Sequence, residues 1–84
     1  MTTRGWTLLQ SEMRDQILSK LETVPGKKLT PSPNVIQQLR RLCDFPRTIN
    51  SWEIEIVLAR MAMVHLVTYK KAGNTILEVS LTDD

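Results

Sequence analysis

Apolar residues recur at intervals of three and four over the first quarter of the chain, which is the spacing of one face of an α-helix. We predict a helix over residues 6–24. Thr7 and Gln10 have the spacing of a capping box, and Pro25-Gly26 ends the helix. The face that we expect to be buried consists of Trp6, Leu9, Met13, Ile17 and Leu21.

A second helix is predicted over residues 33–44, after a polar link that is expected to be extended at Thr30, because Pro31 follows it. Ser32 can cap this helix, and Pro33 suits its first position. The expected buried side consists of Val35, Ile36, Leu39, Leu42 and Cys43, and the outward side of Gln37, Gln38, Arg40 and Arg41.

The third helix, predicted over residues 51–64, has two strong start signals. Asn50 and Glu53 have the spacing of a capping box, and Ile49 and Ile54 that of a hydrophobic staple.

This third helix is apolar on two nearly opposite faces. At about 100° per residue, one face collects Ile54, Val57, Leu58, Met61 and Val64, and the other collects Trp52, Ile56, Ala59 and Met63. Two interpretations stay open. Either both faces are buried inside the domain, or Trp52, Ile56 and Met63 form an exposed patch for a protein partner or a second copy of the chain.

Residues 65–81 predict a β-hairpin with Gly73-Asn74 at its turn. In the returning strand, polar residues alternate with apolar residues, so one face is expected to be buried. The residues of that face are Leu77, Val79 and Leu81.

The length of the turn decides which residues of the first strand share the buried face. A two-residue loop places Leu66 and Thr68 there, whereas a three-residue loop that includes Ala72 places Val67 and Tyr69 there. We favour the three-residue loop, because it buries the larger side chains.

The length of 84 residues predicts a single domain over residues 1–84. The apolar runs are far shorter than a membrane helix, and the amino terminus lacks the pattern of a secretory signal. The single cysteine, Cys43, cannot form an internal disulfide, which fits a reducing compartment. We therefore expect a cytoplasmic protein without membrane contact.

Enzymatic chemistry is not expected from these residues. His65 is the only histidine, and no cysteine or carboxylate stands at metal-ligand spacing from it. Glu53 and Glu55 are two positions apart on a helix, so they point in different directions and do not form a carboxylate pair. We predict a protein that is not an enzyme and uses no cofactor or metal.

The segment VLARMAMVHLVTYKKAGNTILEVSL, residues 57–81, resembles the end of winged helix-turn-helix domains. The order of the predicted elements resembles that superfamily as well. The resemblance implies an α+β fold, a three-helix winged-helix-like domain in which the C-terminal β-hairpin is the wing. It also implies that the third helix enters the major groove of double-stranded DNA, while the wing touches the backbone.

Carried over by position, this resemblance implies that Ser51 faces the bases. The residues that would then contact phosphate are Lys70, Lys71, Asn74, Arg40, Arg41 and Arg47. Phosphate contacts supply affinity without sequence choice. The net charge is only +2, so charge alone predicts weak attraction to nucleic acid.

The resulting prediction is a small winged-helix DNA-binding regulator of the transcriptional, phage or plasmid type. The alternative is a protein-interaction or homodimerisation module of the same fold, docking through Trp52, Ile56 and Met63. Glu53 and Glu55 favour the alternative, because a base-reading helix presents Arg, Lys, Asn or Gln. The exposure of Trp52 discriminates between the two functions.

Overall fold

A computed structural model describes residues 5–31 and 34–82. Over these residues the fold is α+β, with three α-helices and a three-stranded antiparallel sheet. The elements are α1 (Leu8–Leu21), a 3-10 turn (Pro25–Lys27), β1 (Lys28–Leu29), α2 (Val35–Leu42), α3 (Ser51–Met63), β2 (Val67–Ala72) and β3 (Thr75–Leu81). All three predicted helices and the hairpin are present, and the helices are shorter than predicted by one to three residues at most of their ends.

The strand β1 was not predicted from the sequence. It pairs antiparallel with β3, through Lys28 opposite Ser80 and Leu29 opposite Val79, so the strand order is β1-β3-β2. Two residues are too few to display the alternation that identifies a strand. The predicted polar link is therefore the edge of the sheet.

The hairpin turn has two residues, because Ala72 pairs with Thr75. The predicted three-residue loop is therefore wrong. The choice of core-facing residues in β2 is nevertheless confirmed, since Val67 is buried opposite Leu81 and Tyr69 packs partly buried against the core opposite Val79.

A β-bulge reconciles the short turn with this register. Lys70 pairs with Glu78 and Lys71 pairs with Ile76, so Leu77 is an extra residue in β3. Ile76 consequently turns into the core, and Leu77, which was predicted to be buried, is 46% exposed.

The helix starts use the predicted chemistry at two of three positions. At α1, Thr7 Oγ1 accepts from the Gln10 N–H at 3.0 Å, and Gln10 Oε1 accepts from the Thr7 N–H at 3.2 Å. At α3, a Glu53 carboxylate oxygen accepts from the Asn50 N–H at 3.2 Å. Ile49 and Ile54 are both buried, as the staple requires.

The second helix is capped by Asn34, whose Oδ1 accepts from the Gln37 N–H at 2.8 Å. Ser32 and Pro33, predicted to start this helix, lie outside the described residues. The predicted buried side of α2 is confirmed at Val35, Leu39 and Cys43, while Ile36 and Leu42 are half-buried.

The end of α3 turns the chain into β2. The Leu66 N–H donates to the Met61 carbonyl at 2.8 Å, and the His65 N–H donates to the Ala62 carbonyl at 3.1 Å. This is a Schellman motif, and its left-handed residue is His65, with φ 63°. His65 is therefore a structural residue at the helix–strand junction.

One hydrophobic cluster joins the three helices to the inner side of the sheet. From α1 it takes Met13, Ile17 and Leu21, whereas Leu9, predicted to lie on the same face, is 40% exposed. Trp6 covers one edge of the cluster. Its ring lies between the guanidinium groups of Arg14 and Arg60, each 5.2 Å from the ring centroid.

Candidate functional site

The two apolar faces of α3 have opposite environments. The inner face is in the core, where Ile54, Val57, Leu58 and Met61 are each 0% exposed. The opposite face presents Trp52 at 57% exposure, Ile56 at 38% and Met63 at 78%. We call Trp52, Ile56, Ala59 and Met63 the outer stripe. The interpretation in which both faces are buried is therefore wrong.

The outer stripe runs the length of the helix. Its first and last residues are eleven positions apart, which corresponds to about 16 Å along the axis. Val64, predicted to lie on the inner side, is 52% exposed, because it caps the helix rather than continuing it.

Charged residues border the outer stripe on both sides. On the hairpin side, Glu55 Oε1 accepts from Lys71 Nζ at 2.8 Å, and this hydrogen bond raises the pKa of Lys71. On the α1 side, Arg60 donates to the Gly5 carbonyl and to Gln10 Oε1. Both partnerships connect α3 to neighbouring elements. No local pattern in the sequence indicates these contacts, since the partners are far apart in the chain.

Arg40, predicted to point outward, has a structural contact instead. Its Nη2 donates to the Ile49 carbonyl at 2.7 Å, and the side chain is half-buried. The bond holds the connection between α2 and α3. A long cationic side chain can reach a free backbone carbonyl nine positions away, which helical periodicity does not reveal.

The candidate DNA-contacting residues do not gather on one surface. Arg40, Ser51 and Asn74 line a groove of ≈ 520 Å³ between the N-terminal ends of α2 and α3 and the hairpin turn. Asn34, Gln37, Glu55 and Thr75 give it further polar groups.

Arg41 lies elsewhere, beside a smaller and mostly apolar groove formed by Val24, Leu29, Gln38 and Leu42. Arg47 and Lys70 are exposed, on the α2–α3 connection and on β2. Lys71 is exposed too, but its ammonium is bound to Glu55.

The Cys43 thiol is not activated, and residues 5–31 and 34–82 contain no cluster of metal ligands. Burial raises the pKa of the Cys43 thiol to about 11, although Lys20 opposes the shift. A thiol with that pKa stays protonated at neutral pH and is a poor nucleophile. Within the same described ranges, no three His, Cys, Asp or Glu side chains cluster as metal ligands. Nor does any helix there have the length and apolar character needed to cross a bilayer.

Comparisons with protein-family models, with curated proteins and with solved structures find no match for this chain.

Proposed function

We propose that this chain is a non-enzymatic, winged-helix-type module that binds a protein partner through the outer stripe of α3. The observation that carries the proposal is the exposure of Trp52 and Met63 on a helix whose opposite face is completely buried. The helix order, the strand order β1-β3-β2 and the hairpin after α3 support the winged-helix assignment.

The chemistry of the outer stripe suits a protein better than a nucleic acid. Trp and Met are enriched in the centres of protein interfaces, where a large apolar side chain inserts into a pocket of the partner. The outer stripe offers no hydrogen-bonding side chain apart from the Trp52 indole N–H. The neighbouring carboxylate of Glu53 would repel the phosphates on either side of a DNA groove, and Glu55 already neutralises Lys71, one of the cations expected to contact phosphate.

A displayed library of amphipathic helical peptides tests this proposal. We expect selection on the wild-type protein to enrich binders that lose at least tenfold in affinity for Trp52→Glu and for Met63→Glu. Leu8→Glu is the matched control, because Leu8 is 80% exposed on α1 and lies outside the outer stripe. Binders that tolerate both stripe variants, or selection that enriches none, would refute docking at this face.

The groove supports DNA binding as a second candidate function. It brings Arg40, Ser51 and Asn74 together beside the turn of the hairpin that carries Lys70. In this role the chain would be a small cytoplasmic regulator that holds the duplex mainly by phosphate contacts from the groove and the hairpin. The outer stripe would contribute little.

Titration with a fluorescent DNA duplex tests the second candidate. We expect affinity to fall steeply between about 50 mM and 200 mM salt, and to be lost in the double variant Lys70→Ala, Lys71→Ala. The double variant Lys27→Ala, Lys28→Ala serves as the control, because it removes the same charge at β1, the opposite edge of the sheet from β2. Absence of duplex binding at low salt would eliminate DNA binding.

A further inference from the structure

We propose that the outer stripe binds a second copy of this chain, with the two α3 helices packed antiparallel about a twofold axis. The inference rests on the proposed function, since it names the partner of the same surface.

The spacing of the outer stripe reads the same in both directions. Its residues are separated by four, three and four positions, so the pattern is symmetric about the midpoint between Val57 and Leu58. When a second copy is laid antiparallel across a twofold axis at that midpoint, every stripe residue faces a stripe residue. Trp52 then faces Met63 of the second copy, and Ile56 faces its Ala59.

The sizes of these facing residues are complementary. The small Ala59 opposite Ile56 lets the two helix backbones approach near the twofold axis. At each end, the flexible Met63 side chain can adapt its shape to the Trp52 ring, and its sulfur is a favourable neighbour of an aromatic edge. The two most exposed large side chains on α3 are thereby covered by each other.

Charges beside the outer stripe also match. Glu53 and Arg60 lie on the same flank, and twofold symmetry brings equal flanks together. Glu53 of one copy then lies about 3 Å along the axis from Arg60 of the other, and the pair occurs twice. Arg60 keeps its hydrogen bonds from Nη1 to the Gly5 carbonyl and to Gln10 Oε1 of its own chain, so it meets Glu53 as a charge already held in place. On the opposite flank, the two Glu55 side chains are offset by about 7.5 Å, and each is bound to Lys71 of its own chain. The low net charge of +2 causes little repulsion between copies.

The contact is small. One helix pair about 16 Å long covers less than the roughly 800 Å² per partner of a typical stable complex. The dimer should therefore dissociate readily, with a dissociation constant on the order of 0.1 mM.

Sedimentation equilibrium of the wild-type chain tests this inference. We expect the mass of one chain, 9.6 kDa, at about 5 µM and a rise toward twice that value by about 1 mM. Ile56→Glu and Met63→Glu should each raise the dissociation constant at least tenfold, while Leu8→Glu leaves it unchanged. Circular dichroism should show the same helix content in all four proteins, because these side chains are exposed.

A milder variant tests the charge match without disturbing the apolar contact. Glu53→Gln retains an oxygen that can accept from the Asn50 N–H, so the helix cap is kept. We expect it to weaken the dimer by about two- to fivefold at low salt and to have no effect at about 0.5 M salt.

The antiparallel orientation of the two α3 helices can be tested separately by NMR. The Ser51→Cys variant carries a spin label and is mixed with isotope-labelled wild type. In an antiparallel pair, the spin label should broaden the NMR signals of Met63 and Val64 in the isotope-labelled chain. A parallel pair would instead broaden those near Ser51.

Three results would overturn the second-copy proposal. They are a wild type that stays monomeric at about 1 mM, a dimer that survives both stripe variants, and a parallel arrangement. A monomeric wild type that still selects stripe-dependent helical peptides would leave the proposed docking function intact and assign the outer stripe to a different protein. Failure of both experiments would remove the docking function itself.

Discussion

The two faces of α3 are built from the same kinds of residue and have opposite environments. The inner face packs against α1, α2 and the sheet, while the outer stripe is open in the described parts of the chain. Hydrophobicity alone therefore does not decide burial in this domain. The neighbours that the fold brings to each face decide it, and a face with no neighbour is available to another molecule.

The two tryptophans repeat this contrast. Trp6 is 8% exposed, because it lies over the core edge between two arginines, whereas Trp52 is more than half exposed. Trp6 has a structural explanation within the chain. Among residues 5–31 and 34–82 no neighbour covers Trp52, and this difference supports the proposed interface.

The largest effect should come from truncating the inner face. Leu58→Ala removes a fully buried side chain, which we expect to lower the free energy of unfolding by about 2–5 kcal/mol. That is a large fraction of the stability of so small a domain. Met63→Ala on the outer stripe should change it by less than about 0.5 kcal/mol at low protein concentration. Urea denaturation measures both free energies of unfolding. Equal losses in the two variants would contradict the assignment of one face to the core and the other to solvent.

Arg40 and Arg41 extend the contrast to charged residues. Arg40→Ala leaves the Ile49 carbonyl without its charged donor, so we expect a loss of about 1.5–3 kcal/mol in the same measurement. Arg41→Ala should cost less than about 0.5 kcal/mol, because Arg41 is exposed. If Arg40→Ala weakens duplex binding without lowering stability, the structural role assigned to Arg40 is wrong.

The reactivity of the Cys43 thiol tests whether this side chain is buried in the core. Its thiol should react with a disulfide reagent at pH 8 at least about tenfold more slowly in the folded protein than in urea. Because folding raises its pKa from 9.0 to about 11, the buried thiol stabilises the fold below pH 9, and this contribution is lost as the pH rises through about 11. Cys43→Val should lack this loss. Rapid labelling of the folded protein would contradict the packing.

The smallest change in stability is expected at His65, the left-handed residue just after the end of α3. His65 has φ 63°, which glycine adopts without strain, so His65→Gly should raise the free energy of unfolding by about 0.5–1 kcal/mol. His65→Ala is the control and should bring no such gain, since alanine keeps the Cβ atom. A gain from alanine equal to that from glycine would point to a cause other than the left-handed backbone.

The long elements of this fold could be predicted from the sequence, because their signals are local. Thr7 with Gln10 and Asn50 with Glu53 mark two helix starts, and Gly73-Asn74 marks the turn. The strand β1 and the bulge at Leu77 could not be predicted. Both depend on pairing with residues elsewhere in the chain.

The candidate site was predictable only as a pair of alternatives. Periodicity placed Trp52, Ile56 and Met63 on one face, but whether another element covers that face is a property of the whole fold. The contacts of Arg40 and Lys71 could not be predicted for the same reason, since each reaches a partner outside its own helix or strand.

Acrylamide quenching of Trp52 fluorescence in the Trp6→Phe variant tests the central claim most directly. At about 5 µM protein, we expect Trp52 to be quenched several-fold more strongly than Trp6 in the matched Trp52→Phe variant. Protection of Trp52 should then increase as the outer stripe is occupied, by a selected helical peptide or at high protein concentration. Equal protection of both tryptophans in the dilute, folded monomer would contradict an open outer stripe and the docking function built on it.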